Sequence, residues 1–149
     1  MKAVVQRVID ASVSVNGIVK GKINKGLLVY LGVANDDNEK DADWLIEKIA
    51  NLRIFNDADD KMNLSLKEIQ NAGILTISQF TLLADAKKGR RPSWNGAAPP
   101  EKAKELYEYF INVMKKNISI CENGEFQAHM KVTYTNDGPV TILLDTKEL

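Results

Sequence analysis

Apolar and polar positions alternate from the start of the chain with the period of a strand. Residues 2–9 and 12–15 read as β-strands, and Asn16-Gly17, between Val13/Val15 and Ile18, is a strong hairpin signal. Residues 26–33 (GLLVYLGV) are a continuous apolar run bounded by turn residues, which predicts a strand buried on both faces. After a turn at 36–38 the period lengthens. Leu45, Ile49 and Leu52 recur at i, i+4 and i+7 with Ala42 and Ile46 beside them, the stripe of an amphipathic helix. Arg53-Ile54-Phe55 predicts a short strand, residues 56–60 a polar turn, and residues 73–83 a second strongly apolar strand. Pro99-Pro100 opens another helix, proline being tolerated in a first turn, with Ala103, Leu106/Tyr107, Phe110 and Met114 as its apolar stripe. Two closing strands, 128–135 and 140–145, are joined by Asn136-Asp137-Gly138-Pro139.

The order ββββ-α-β-β-α-ββ predicts one α/β domain over residues 1–149. Its mixed, largely antiparallel β-sheets would form α/β/β layers with two helices packed on one side. So few helices cannot cover so much sheet, and part of its surface is expected to lie against another sheet or a partner subunit. A chain of 149 residues is long enough to bury one real core. No apolar run approaches the ~20 residues of a membrane helix, and the first residues run straight into a strand pattern. The expectation is a cytoplasmic protein with no membrane partner. The single cysteine, Cys121, has no partner for an internal disulfide and agrees with a reducing compartment.

Charge narrows the picture. Lys plus Arg equals Asp plus Glu, 20 of each, which argues against a protein that coats nucleic acid by phosphate neutralisation alone. A local patch remains: Lys87-Lys88-Gly89-Arg90-Arg91, inside a polar loop at 84–99. From spacing alone a solvated loop is the commoner fate of such a run. A loop of that length without structure of its own is, however, often functional.

The usual catalytic sets are missing. His129 is the only histidine, so no histidine-rich metal site can form within one chain, and neither metal nor cofactor is expected. There is no G-x-S-x-G elbow, P-loop or G-x-G-x-x-G. A Cys121/His129 dyad is disfavoured by periodicity. Ala128, Met130, Val132 and Tyr134 form the apolar face of their strand and leave His129 on the polar one with Lys131 and Thr133. Two segments resist so plain a reading. In Ser78-Gln79-Phe80-Thr81 an apolar strand turns polar near its end, where ligand contacts are common, although a tolerant strand end reads equally well. In Asn136-Asp137-Gly138-Pro139-Val140-Thr141 an Asp-Gly turn is followed by a proline that cannot donate to a ladder, and Gly-Pro is a candidate for the cis form. A plain turn with an edge proline explains it as well.

Taken together and in order, these pieces resemble the D-aminoacyl-tRNA deacylase family nearly end to end. The resemblance is carried by Gln6-Arg7-Val8 with Ala11-Ser12-Val13, Gly26-Leu27-Leu28-Val29, Leu31-Gly32-Val33, Arg53-Ile54-Phe55 and Lys61-Met62-Asn63-Leu64-Ser65. Ser78-Gln79-Phe80-Thr81-Leu82, Arg91-Pro92-Ser93, Leu106-Tyr107-Glu108-Tyr109-Phe110 and Asn136-Asp137-Gly138-Pro139-Val140-Thr141 complete it. It implies a homodimer with each active site near the subunit interface. It also implies a cis Gly138-Pro139 pair reaching into the partner's pocket, its carbonyls screening the chirality of the amino acid. Ser78, Gln79, Phe80 and Thr81 would line that pocket as the catalytic segment, with the Phe80 backbone N–H near the reacting carbonyl. Arg7 would brace the Gly-Pro loop, and Met130 and Asn136 would join it in substrate binding. The chain departs from the family at Gln127, where a small residue is more usual, at His129, where an acidic one is familiar, and at Trp94, which stands for phenylalanine.

The implied reaction is hydrolysis of the ester of a D-aminoacyl-tRNA, a chiral proofreading step of translation, with glycyl-tRNA also accepted. No strong side-chain base is evident, so activation of the water by the RNA 2′-hydroxyl is expected, with nucleophilic attack by Thr81 as the alternative. Rejection of L side chains by fixed carbonyls suits a pocket that must accept many D side chains. Lys87, Lys88, Arg90 and Arg91 would hold tRNA phosphates. A non-catalytic RNA-binding module and a dimeric scaffold protein are the competing classes.

Overall fold

In the computed structural model, which describes residues 1–148, the hairpin signal at Asn16-Gly17 is realised. Strand β1 (Lys2–Val15) turns into β2 (Ile18–Ile23) with Val15 opposite Ile18, and both turn residues have positive φ, 50° at Asn16 and 78° at Gly17. β1 is one long strand rather than two, broken by irregularities around Arg7 and Ile9 instead of by a turn. β2 and then β3 (Gly26–Gly32) run antiparallel along one edge of β1, with Ala11 opposite Ile23 and Val8 opposite Gly26.

From β3 the chain crosses over twice. Helix α1 (Glu39–Asn51) leads through the short strands β4 (Phe55–Asn56) and β5 (Met62–Leu64) and a 3₁₀ turn at Leu66–Glu68 to β6 (Gly73–Ser78), parallel to β3. Helix α2 (Pro100–Asn117) leads to β7 (Ile120–Asn123), parallel to β6. Both helices therefore lie on one face of the sheet, as expected. α1 starts where the turn at 36–38 predicts. The Asn38 side chain accepts from Lys40 N and Asp41 reaches back to Asn38 N, satisfying two orphan amides of the first turn. The parallel pair β3/β6 approaches so closely at its start that a Cβ on Gly26 would lie 1.8 Å from the Gly73 carbonyl oxygen. Only glycine fits there.

The main core fills the space between sheet and helices: Val5, Leu27, Val29, Leu31 and Ile74 meet Leu45, Ile49, Phe110 and Met114. A second, smaller core of Val8, Val13, Ile23, Leu28, Leu75 and Ile77 lies on the other face. The sheet curls around it, so that β2 comes against β6 and β7. A Cβ on Gly21 would meet Leu75 Cδ1 and the Asn123 carbonyl oxygen at 3.0 Å. This curl supplies the third layer, and β3 is buried on both faces as its apolar run predicts.

Two expectations need correcting. The strand expected over 73–83 stops at Ser78, because its partner β3 ends at Gly32; Gln79 N donates to Leu31 O, and Phe80–Leu83 then winds as a 3₁₀ turn. The two closing strands are a single one, β8 (Lys131–Asp145), antiparallel to β1 from Ser14↔Lys131 to Lys2↔Asp145. The Asp-Gly pair is not a hairpin turn. β1 offers a template long enough to pair the whole stretch, and residues 137–140 bulge out where Gln6 faces Thr141 and Val8 faces Asn136. β7 escaped the sequence reading because four residues, ICEN, carry no period.

A buried ion pair ties the two ends of this sheet to the helix layer. The Met1 ammonium, wholly inaccessible, lies 2.6 Å from Asp37 Oδ1 and donates also to the Thr146 hydroxyl. The other Asp37 oxygen accepts from Ala34 N at 2.6 Å. Removing only the charge leaves an unpaired buried ammonium, so Asp37→Asn should lower the free energy of unfolding by about 3–5 kcal/mol. A chemical denaturation curve reads this directly, and a loss below ~1 kcal/mol would make the pair an incidental contact.

Candidate active site

Where β6 gives out, its last residues open into a cleft of about 640 Å³, within the range of small-ligand sites. Ser78, Gln79 and Phe80 form one side. Pro99, Pro100, Ala103 and Tyr107 from the start of α2 form the other, and Phe126, Gln127, Ala128 and Met130 close the end. The walls are held by backbone: Ala98 N donates to Val33 O at 2.9 Å, and Asn35 N to Gly96 O at 3.1 Å. Tyr107 locks the floor. Its hydroxyl donates to Thr76 O at 3.0 Å, a carbonyl that also accepts from Gly124 N, and burial pushes the phenol pKa well up. Its ring packs 5.8 Å from that of Phe126.

No side chain lining the cleft is charged. The polar groups available are the Ser78 hydroxyl, the Gln79 and Gln127 amides, the Trp94 indole N–H and main chain. The Phe80 and Thr81 amides open a 3₁₀ turn whose first internal bond is donated by Leu82 N. They have no backbone acceptor among the described residues and are free to serve as donors. Thr81 itself is half-buried in that turn and is not among the lining residues. Gln127 sits on the rim with φ 63°, a backbone conformation that favours glycine.

Arg7, Asn136, Gly138 and Pro139 form a second group, away from this cleft. Arg7 is buried; its Nη1 donates to Ile54 O at 2.7 Å and to Asn56 Oδ1 at 3.1 Å. Its Nε is 3.0 Å from Asp137 Oδ2, a charge contact not aligned as a hydrogen bond. Asn136 closes the neck of the bulge, donating to both Arg7 O and Val140 O at 3.0 Å and accepting from Gln6 Nε2 at 3.1 Å. The Gly138-Pro139 peptide is cis. Gly138 has φ 120°, and a Cβ there would fall 2.7 Å from Val140 N, so no other residue fits. The result is an exposed loop pinned at both ends to the first strand.

The basic run sits apart from both groups. Asp85 and Ser93 exchange two backbone hydrogen bonds of 2.9 Å, turning the polar loop into a small hairpin with Lys87, Lys88, Arg90 and Arg91 exposed at its tip. Sequence reading named the two polar segments but missed most of the apolar cleft wall. Pro99, Pro100 and Tyr107 show in the sequence only as a helix start and a core stripe.

The cysteine–histidine pair has no place in this site. His129 is exposed, while Cys121 packs against the main core and burial pushes its thiol up to about 11. Two units above its ordinary value leave ~100-fold less thiolate at neutral pH. Alkylation of Cys121 in the folded protein at pH 8 should be slower than that of free cysteine by about that factor, rising as pH approaches 11. Reaction at the free-thiol rate would show the group to be accessible and ionised. Among the described residues no three His, Cys, Asp or Glu side chains are placed to hold a metal ion.

Comparison with known proteins shows what the chain as a whole is similar to. A family model described as D-Tyr-tRNA(Tyr) deacylase matches residues 4–145. A protein of Kosmotoga olearia named D-aminoacyl-tRNA deacylase is 57% identical over 148 residues, 99% of each chain. One of the same name from Thermosipho melanesiensis is 58% identical over 150 residues, 100% of this chain and 99% of its own. A solved structure described as the c-Myc DNA Unwinding Element Binding Protein superposes with a TM-score of 0.92 at 40% identity, covering 98% of this chain and 99% of that one. At 17% identity, a probable eukaryotic D-amino acid tRNA deacylase shares the fold, with a TM-score of 0.83 over 96% of this chain and 97% of that one. With the model spanning nearly the whole chain and relatives more than half identical along its length, the chain belongs to the D-Tyr-tRNA(Tyr) deacylase family.

Proposed function

We propose that the protein hydrolyses the ester joining a D-amino acid to the terminal ribose of tRNA, using main-chain groups in place of charged side chains. The observation that carries this is the uncharged cleft with the free amide of Phe80 on its edge. Water attacks the ester carbonyl, the developing oxyanion accepts a hydrogen bond from Phe80 N–H, and the bond to the ribose oxygen breaks with the proton returned to that oxygen. With no acid or base lining the cleft, the vicinal 2′-hydroxyl of the RNA orients and activates the water. Thr81 positions this segment. Neither metal nor cofactor takes part. The four cations of the hairpin hold phosphates of the tRNA.

Selection of the D form falls to the pinned Gly138-Pro139 loop. That loop is exposed and does not line the cleft of its own chain, which supports its entering the cleft of a second copy. β8 pairs with β1 on one edge only among the described residues. On the face away from the helices Leu143 is 76% exposed beside its partner Val4. A long bare edge with an exposed leucine beside it suits burial against its like. Carbonyls fixed by Arg7 and Asn136 then exclude an L side chain whatever its identity, while glycine, having none, passes.

The assay that tests the reaction sets D- and L-tyrosyl-tRNA side by side. A D/L ratio in kcat/KM of at least ~1000, about 4 kcal/mol, is expected, with glycyl-tRNA cleaved and L-alanyl-tRNA spared. A gap of that size between substrates one methyl apart exceeds the ~1–3 kcal/mol of a merely tight apolar pocket. Equal rates on the two tyrosyl substrates would remove the chiral reading, and no turnover of either would remove the hydrolase.

Assembly is tested separately by sedimentation. The wild-type chain should run as a dimer and Leu143→Glu as a folded monomer that has lost activity. An active wild-type monomer at assay concentration would rule out a shared site.

A further inference from the structure

The cleft does not end at its polar segment. Phe80, 56% exposed, meets Trp94, 40% exposed, in an edge-on pair with ring centroids 5.2 Å apart and planes inclined by 68°. Both rings line the cleft mouth. An edge-on pair can cover at most one face of one ring, so flat aromatic surface stays open to solvent. Two such rings exposed together are uncommon on a soluble protein unless something stacks on them.

Directly before Trp94 in the chain stands the hairpin closed by Asp85 and Ser93. The Asp85 carboxylate stiffens it further by accepting from Lys87 N at 2.9 Å, and Gly89 has φ 75° at its tip. Four cations ride on this hairpin, and Asp85 is its one carboxylate. An aromatic lip followed by a cluster of cations is the arrangement that recognises single-stranded nucleic acid, with bases on the rings and phosphates on the cations.

We propose that Trp94, paired with Phe80, stacks an unpaired nucleobase one or two nucleotides before the terminal adenosine, and that the 85–93 hairpin holds the phosphates flanking it. The inference rests on the reading of the cleft as the site for the aminoacylated terminal nucleoside and adds the path of the strand leaving it. Such a contact reads no sequence, because every base presents a π face. It anchors the substrate by a part shared by all tRNAs and leaves the cleft to judge the amino acid alone. Tryptophan has the largest ring of the side chains and so offers the most stacking surface.

The test uses Trp44→Phe, so that Trp94 is the only remaining tryptophan of two. The trinucleotide CCA should quench its fluorescence and bind ~5- to 100-fold more tightly than a trimer of the same backbone lacking the first two bases, the range of one base stacked on one aromatic. Trp94→Ala should remove that difference when binding of a labelled trimer is followed by anisotropy, and Trp94→Phe should keep most of it. In kinetics, Trp94→Ala should raise KM for D-tyrosyl-tRNA by a similar factor at unchanged kcat. The KM for 3′-D-tyrosyl-adenosine, which has no preceding nucleotide, should rise by a much smaller factor.

Equal binding of the baseless trimer and CCA would overturn the proposal. So would a Trp94→Ala protein with wild-type affinity and KM, or equal KM losses on both substrates. Failure of the wild-type protein to cleave any aminoacyl-tRNA would instead count against the hydrolase, and the oligonucleotide titration would still decide the role of Trp94.

Discussion

The structure depends on the pairing of its first strand with its last. β1 is long enough to carry β2 and β3 on one edge and the whole of β8 on the other. Everything that matters for chemistry is placed by where those pairings begin, fail and stop. The bulge of residues 137–140 exists because Gln6 and Val8 keep their partners while Arg7, turned toward Ile54, does not. The guanidinium serves as a post to which the loop is tied. The same inward turn buries its charge: the Ile54 carbonyl and the Asn56 amide oxygen accept from Nη1, and the Asp137 carboxylate balances the charge without taking a hydrogen bond from Nε.

The second determinant is the point where β6 ends beside β3. The parallel strands pack tightly at Gly26 and Gly73 and stay paired as far as Leu31 and Ser78, with Gln79 N still donating to Leu31 O; beyond that the chain tightens into a 3₁₀ turn that leaves its leading amides unused. Main-chain donors are fixed by the fold itself and need no side-chain ordering, so they are already arranged when substrate arrives. The wall opposite is apolar because it is the same surface α2 uses to cover the sheet; the cleft is the core left open at one end.

Much of this was legible in the sequence, with identifiable gaps. Strong periods gave the helices and the buried β3, and the turns at Asn16-Gly17 and 36–38 marked boundaries, while the capping role of Asn38 showed only in the fold. What failed were inferences in which local chemistry competes with a distant template. Asp137-Gly138 has the composition of a hairpin turn, yet β1, more than a hundred residues away, dictates a continuous strand. Phe80 to Leu83 are as apolar as the strand before them, and only the end of β3 decides that they wind. The polar segments of the site stood out because they interrupt apolar patterns. Its walls did not, because Tyr107 and Leu31 obey the patterns they sit in, and their second role follows from which end of the sheet they occupy.

A site assembled from amides and carbonyls has a consequence for how the protein can change over time. A peptide group is the same whatever residue carries it, so under the proposed mechanism substitutions at the reacting positions replace side chains that do not perform the chemistry. Sensitivity moves to residues that fix the path of the backbone: the glycine whose Cβ would strike Val140, the arginine beneath the bulge, the pair of glycines where β3 and β6 nearly touch. Genetic drift in such a protein is constrained most by geometry and least by reactivity. Its most dangerous mutations are therefore ones that a survey of acids, bases and nucleophiles would pass over.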